Sequence, residues 1–111
     1  MFKNEDDALK LYYSIGEVAE LFNISKSLIR FWEKEFDILK PHKNSKGERR
    51  FTRDNLEQIQ LIFHLVKERG FTLEGAKREI RQQRALLKQK QQMIEKLKRL
   101  RNFLKEIQNN I

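Results

Sequence analysis

Residues 24–36 read Ile24-Ser-Lys-Ser-Leu-Ile-Arg-Phe-Trp-Glu-Lys-Glu-Phe36, and the fold turns on how this stretch is read. Lys26, Arg30 and Lys34 recur every four residues, while Leu28, Ile29, Trp32 and Phe36 recur at helical spacing between them. The pattern suits two helices equally: a core helix with a solvated basic face, or a helix built to enter a nucleic-acid groove. The surrounding sequence has to separate them.

Immediately upstream, Ser14-Ile15-Gly16-Glu17 is an S-x-x-E capping box, so a short helix should follow with Ile15, Val18, Ala19 and Phe22 on its apolar side. Asn23-Ile24-Ser25 interrupts it, because Asn tolerates left-handed geometry and Ser25 is a good N-cap for the next helix. Two short helices about three residues apart form a helix-turn-helix, the second ending near Phe36 or Asp37. Downstream, Ile38-Leu39 and Arg50-Phe51 are short strand-like ends around the turn-rich tract 42–47, with Pro41 suited to an edge strand. A small β-hairpin with a basic tip is expected there. Thr52 caps a third helix with the stripe Leu56, Ile59, Ile62, Phe63 and Val66, and Gly70 ends it. A fourth helix starts at Leu73, with Ala76 and Ile80 on its inner face.

From Ala76 to the end there is neither Pro nor Gly. Leu86, Met93, Leu97, Leu100, Leu104, Ile107 and Ile111 fit a heptad seam, with Leu87 and Ile94 widening the stripe and polar Lys90 and Gln83 weakening it toward the head. Such a helix is marginal alone in water, and a second copy of itself is the simplest partner. The expected organisation is an N-terminal extension over 1–11, a DNA-binding domain over 12–81 and a dimerising coiled-coil helix over 82–111.

The net charge of +8 is unevenly spread. Residues 1–76 hold thirteen Lys/Arg and thirteen Asp/Glu, whereas 77–111 hold eleven against three. Residues 38–53 carry Lys40, Lys43, Lys46, Arg49, Arg50 and Arg53 against Glu48 alone. Two basic patches therefore lie on different parts of the chain. Cysteine is absent, and the two histidines, His42 and His64, lie far apart, so no metal site and no cofactor is expected. No apolar run approaches the roughly 20 residues that span a bilayer, and the N-terminus lacks a signal-peptide core. A cytoplasmic, nucleoid-associated location is expected. No nucleophile–base pairing or Gly-rich phosphate loop supports an enzyme.

The order of these elements resembles the MerR family of bacterial transcription regulators. Tyr13-Ser-Ile-Gly-Glu-Val-Ala-Glu-Leu21 is similar to its Y-x-I-G-E-V-A-x-L opening, and Ser25 with Ile29-Arg-Phe-Trp-Glu33 to S…L-R-Y-Y-E. Pro41-His-Lys43 with Gly47-Glu-Arg-Arg-Phe51 is similar to P-x-R…G-Y-R-x-Y, and Arg69-Gly-Phe-Thr-Leu73 to L-G-F-S-L-x-E. Four motifs in the right order cover about residues 12–80. Three departures stand out: Phe31 and Trp32 replace two tyrosines, Glu33 to Pro41 is one residue longer, and Glu48 replaces an aromatic residue. The family's metal-binding cysteines and its large drug-binding domain are absent, so the resemblance is to a short form without an effector domain.

The resemblance implies a mainly α winged helix-turn-helix head with a β-hairpin wing and a C-terminal dimerising helix. In a helix-turn-helix the early residues of the second helix meet base edges while its far end leaves the groove. Ser25, Lys26, Ser27 and Arg30 lie early, and Glu33, Glu35 and Asp37 lie late. Arg30 is the candidate for direct readout, pairing with guanine O6 and N7, and Lys26, Ser25 and Ser27 reach bases or phosphates. Lys43, Lys46, Arg49 and Arg50 are expected along the phosphate backbone. The resemblance adds Tyr13 and Phe31 to the DNA-binding set, Phe31 without the phenolic hydroxyl of its counterpart. Expected partners are double-stranded DNA, a second copy of the chain, and RNA polymerase or another acidic protein. Two alternatives stay open: a helix-turn-helix protein-interaction adaptor, and a DNA-architectural or recombination accessory protein.

Overall fold

The computed structural model describes residues 10–110, so most of the N-terminal extension and the last seam position, Ile111, lie outside it. The described chain forms two units, one ending at Thr72 and the other starting at Leu73.

In the first unit, helix α1 spans Ile15–Phe22. Its capping box is complete: the Glu17 N–H donates to Ser14 Oγ at 3.2 Å, and the Ser14 N–H donates to Glu17 Oε1 at 3.1 Å. Asn23 ends it in the left-handed region (φ 54°, ψ 48°), the only described non-glycine residue with positive φ. The Ser25 hydroxyl then accepts the Leu28 N–H at 3.0 Å and starts α2, Lys26–Glu35. The local chemistry of Ser, Asn and Ser sets these bounds, and burial of Val18, Ile29, Trp32 and Phe36 locks the pair.

The hairpin starts later than the sequence suggests. Strand β1 is His42–Lys43 and β2 is Arg49–Arg50, antiparallel, with His42 opposite Arg50 and Lys43 opposite Arg49. Ile38-Leu39 is not a strand; Asp37 and Ile38 form a turn and Leu39 is buried in the core. Pro41 has no N–H to donate, so the ladder begins at the residue after it. Phe51 continues the sheet by another route: it exchanges two 2.8 Å backbone hydrogen bonds with Tyr13, so the segment before α1 lies beside the hairpin.

Helix α3 spans Arg53–Phe63 behind a Thr52–Asn55 capping box. Asn55 is buried yet satisfied: its Oδ1 accepts the Thr52 N–H at 2.9 Å and its Nδ2 donates to Gln58 at 3.1 Å. Leu56, Ile59 and Ile62 are buried as their spacing predicts. Beyond them the helix widens into a π-helical stretch, His64–Glu68, closed by the Arg69 N–H donating to the His64 carbonyl at 2.9 Å. The wider turn alters the phase of the stripe, so Leu65 is fully buried and Val66 only partly. Phe63 is half-buried and meets the Phe22 ring at 6.3 Å between centroids. Gly70, at φ +71°, turns the chain out of the helix, a conformation that costs a residue without a Cβ little.

The second unit is one helix, α4, Leu73–Asn109. The expected division at 81–82 falls inside it, and the fourth helix and the terminal helix are continuous because no Pro or Gly interrupts them after Gly75. Its buried residues are Ala76 and Ile80; every described residue after Gln83 is exposed. Among the described residues no helix is long and apolar enough to cross a membrane.

Candidate nucleic-acid interface

Helix α2 buries one side and exposes the other. Ile29 and Trp32 are buried, so both serve packing. Lys26, Ser27, Arg30, Phe31 and Lys34 are all exposed. Ser27, Arg30, Phe31 and Lys34 follow one another by three, one and three residues, so they share a face. Ser25, also exposed, uses its hydroxyl oxygen to cap the helix, which fixes where the row begins. The Lys26 stem leans back over α1: a Cβ built on Gly16 would lie 3.5 Å from Lys26 Cε and 3.8 Å from Nζ. Its ammonium therefore stands at the first turn of α1, adding positive charge where that helix dipole is also positive.

The hairpin tip is held by a residue whose role the sequence reading understated. Asn44 Oδ1 accepts the N–H groups of Lys46 and Glu48, both at 3.0 Å, and its carbonyl accepts the Gly47 N–H at 2.9 Å. Gly47 adopts φ +79°, the conformation this turn requires. Lys43, Lys46 and Arg50 are exposed around this fixed tip, and the Arg50 guanidinium lies 5.7 Å from the centre of the Tyr12 ring.

Two expected contact residues have other work. Tyr13 is only 2% exposed and belongs to the core, where its backbone pairs with Phe51; the exposed tyrosine is its neighbour Tyr12, at 41%. Arg49 is half-buried and its Nε donates to Glu33 Oε2, with side-chain exposures of 26% and 18%. This ion pair ties β2 to α2 and neutralises the Glu33 carboxylate. Alternation and spacing give no signal for it, since sixteen residues separate the partners. Tyr12, Ser14, Asn44, Glu48, Arg49 and Arg50, with Tyr13, line an open cleft of about 250 Å³ beside the hairpin.

At the start of α1, Lys10 pairs with Glu17, and the cap N–H of Ser14 reaches the same carboxylate. The Lys10 hydrogen bond, then the Ser14 N–H, hold the Glu17 carboxyl below its ordinary value of 4.5. Among the described residues no cluster of three or more His, Cys, Asp or Glu side chains is arranged to hold a metal ion. Leu86, Met93, Leu97, Leu100, Leu104 and Ile107, the expected seam, all lie on α4, in the second unit.

Residues 13–83, which hold the capped helix-turn-helix and the basic hairpin, match the family of MerR HTH family regulatory proteins. The chain belongs to the MerR family. Among its relatives, the HTH-type transcriptional regulators MlrA of Salmonella typhimurium and of Escherichia coli are 36% identical over 50 residues. That alignment covers 45% of this chain and 21% of the length of those relatives. Among solved structures, HiNmlR, a MerR family regulator lacking the sensor domain and bound to promoter DNA, is 26% identical with a TM-score of 0.56, over 86% of each chain. A MerR family regulator from Bacillus cereus is 26% identical with a TM-score of 0.53, over 78% of this chain and 75% of that one. The mainly α architecture, with its two-stranded hairpin and long C-terminal helix, is the MerR-type fold.

Proposed function

We propose that this chain is a double-stranded-DNA-binding transcription regulator that acts as a homodimer on an inverted-repeat operator. The observation that carries the reading is the exposed row on α2 beside a basic hairpin, the two joined by Glu33 and Arg49. Helix α2 enters the major groove, Arg30 pairs with a guanine, and Ser25, Lys26 and Ser27 contact bases or phosphates. Lys43, Lys46 and Arg50 lie along the backbone, where such contacts set register and affinity. Arg49 serves by holding the hairpin against α2. HiNmlR, which is similar to this chain over 86% of its length, has been solved on promoter DNA.

The homodimer reading rests on α4. Leu86, Met93, Leu97, Leu100, Leu104 and Ile107 are 43–57% exposed on one heptad seam, and Phe103, which the seam did not include, widens it. Exposed apolar area of this extent on one helix calls for a partner helix. Flanking charge favours an antiparallel copy. A parallel pair sets Lys96 beside the partner's Arg101, two like charges; an antiparallel pair with Leu97 opposite the partner's Leu100 sets Lys96 beside the partner's Phe103 instead. The eleven-to-three excess of basic residues over 77–111 suits an acidic protein, RNA polymerase among the candidates, on the outer side of this helix. No cofactor enters this reading.

Selection of bound sequences from a random DNA pool, with the full chain, tests these statements together. The expected outcome is an inverted repeat whose half-sites lie about one helical turn, or a multiple of it, apart. Recovery of no preferred sequence, or of a single unrepeated site, overturns the regulator or the dimer respectively.

A further inference from the structure

Phe31 breaks the chemistry of the face on which it stands. Lys26, Ser27, Arg30 and Lys34 can each hydrogen-bond with bases, phosphates or water, yet among them sits a phenyl ring that is 46% exposed. Of the other large apolar residues of this helix and its C-cap, Ile29, Trp32 and Phe36 are buried and Leu28 is partly buried. Phe31 has no hydroxyl, so it neither donates to a phosphate nor accepts from an amine. Nearly half of its surface is left in water, which is unfavourable unless an apolar group covers it.

In the major groove one apolar group protrudes from the base pairs, the C5 methyl of thymine. We propose that Phe31 is a specificity-determining residue that reads a thymine methyl, next to the base pair taken by Arg30. The inference rests on the DNA-binding reading above. Arg30 and Phe31 are consecutive, so their side chains diverge by about 100° around the helix and meet different base pairs. Their chemistries are complementary: the guanidinium takes the acceptor pair of guanine, and the ring takes the methyl that cytosine lacks. Ser27, one turn earlier on the same face, is short enough to leave the ring open to the groove.

The test uses the full chain and the operator obtained by selection. Each thymine of a half-site is replaced in turn by deoxyuridine, which keeps the pairing edge and removes only the methyl. Wild-type protein is expected to bind about fourfold more weakly at one such position, the worth of one buried methyl, and equally well at the others. In the Phe31→Ala variant that ratio should fall to one, while the guanine preference assigned to Arg30 persists. Thermal melting of the variant should match wild type, because the ring is not part of the core. The inference is overturned if no deoxyuridine position affects wild-type binding, if the variant keeps the same ratio, or if the half-site contains no thymine. A ring lying on the sugar-phosphate backbone would show itself by a loss equal at all sequences, which also overturns it. Selection of no sequence at all is a different failure: it removes the DNA-binding reading, and this one with it.

Discussion

At the scale of single residues, side chains of the same type divide sharply by environment. Arg30 stands free on the outer face of α2, whereas Arg49 is half-buried on a carboxylate. Arg30→Ala should therefore lower the preference for operator over random DNA by about 1–3 kcal/mol, and lower affinity for random DNA much less. Competition binding measures both, and an equal loss on both DNAs would move Arg30 to the backbone-contacting class. Glu33→Ala makes the opposite kind of statement. It removes a negative charge, so simple attraction predicts tighter DNA binding; loss of the Arg49 anchor predicts weaker binding, with a stability cost of about 1–2 kcal/mol, between the exposed and the fully buried case. We expect the weaker binding, and tighter binding would show that the pair does not hold the hairpin. The residue scale is also where the sequence was least informative. Tyr13 and Tyr12 are adjacent and chemically identical, and only the pairing of Tyr13 with Phe51 sends one to the core and leaves the other outside.

At the scale of elements, local chemistry decides the ends of helices. Ser14, Ser25 and Thr52 each accept the backbone N–H of the third residue of the helix that they start. The cap of α1 carries a pH dependence. Because the folded state holds Glu17 below its ordinary value, its stabilising effect is full above about pH 4.5 and is lost as pH falls through the lower folded value. Melting temperatures of wild type and Glu17→Gln should differ at pH 6 and draw together as pH falls below 4.5 and through the lower folded value. The difference should shrink in high salt, since the Lys10 pair is exposed. A gap that does not narrow on acidification would show that the carboxylate charge is not what stabilises the cap. Ser14→Ala should cost about 1 kcal/mol at neutral pH. The hairpin and the π-helical stretch were harder to read. Pro41 marks where the ladder starts only if one knows that Leu39 is needed in the core, and the widened turn at His64–Glu68, which brings Leu65 into the core, is not encoded by periodicity alone.

At the scale of the whole molecule, the proposed dimer depends on α4. The chain has no cysteine, so introduced cysteines report contacts without background. Mixing Lys96→Cys and Phe103→Cys variants under oxidising conditions should give disulfide-linked heterodimers faster than either homodimer, as an antiparallel pair requires. Faster homodimer cross-linking would indicate a parallel pair. Leu97→Asp should shift the sedimentation coefficient to that of a monomer and weaken operator binding by orders of magnitude, because two half-sites are then no longer held by one particle. A variant that stays dimeric would move the interface elsewhere.

The sequence by itself determined the caps, the helix-turn-helix, the basic character of the hairpin and the apolar seam of α4, with its polar breaks at Gln83 and Lys90. These follow from interactions within a few residues or from a repeating period, both of which are written along the chain. Only the tertiary structure decided that Tyr13 is core and Tyr12 is surface, that Arg49 is held by Glu33, and that Leu65 is buried more fully than Val66. Each of these depends on which side chain reaches the interior or a distant partner first, and that competition is settled by packing across many residues of separation, where a one-dimensional pattern carries no information.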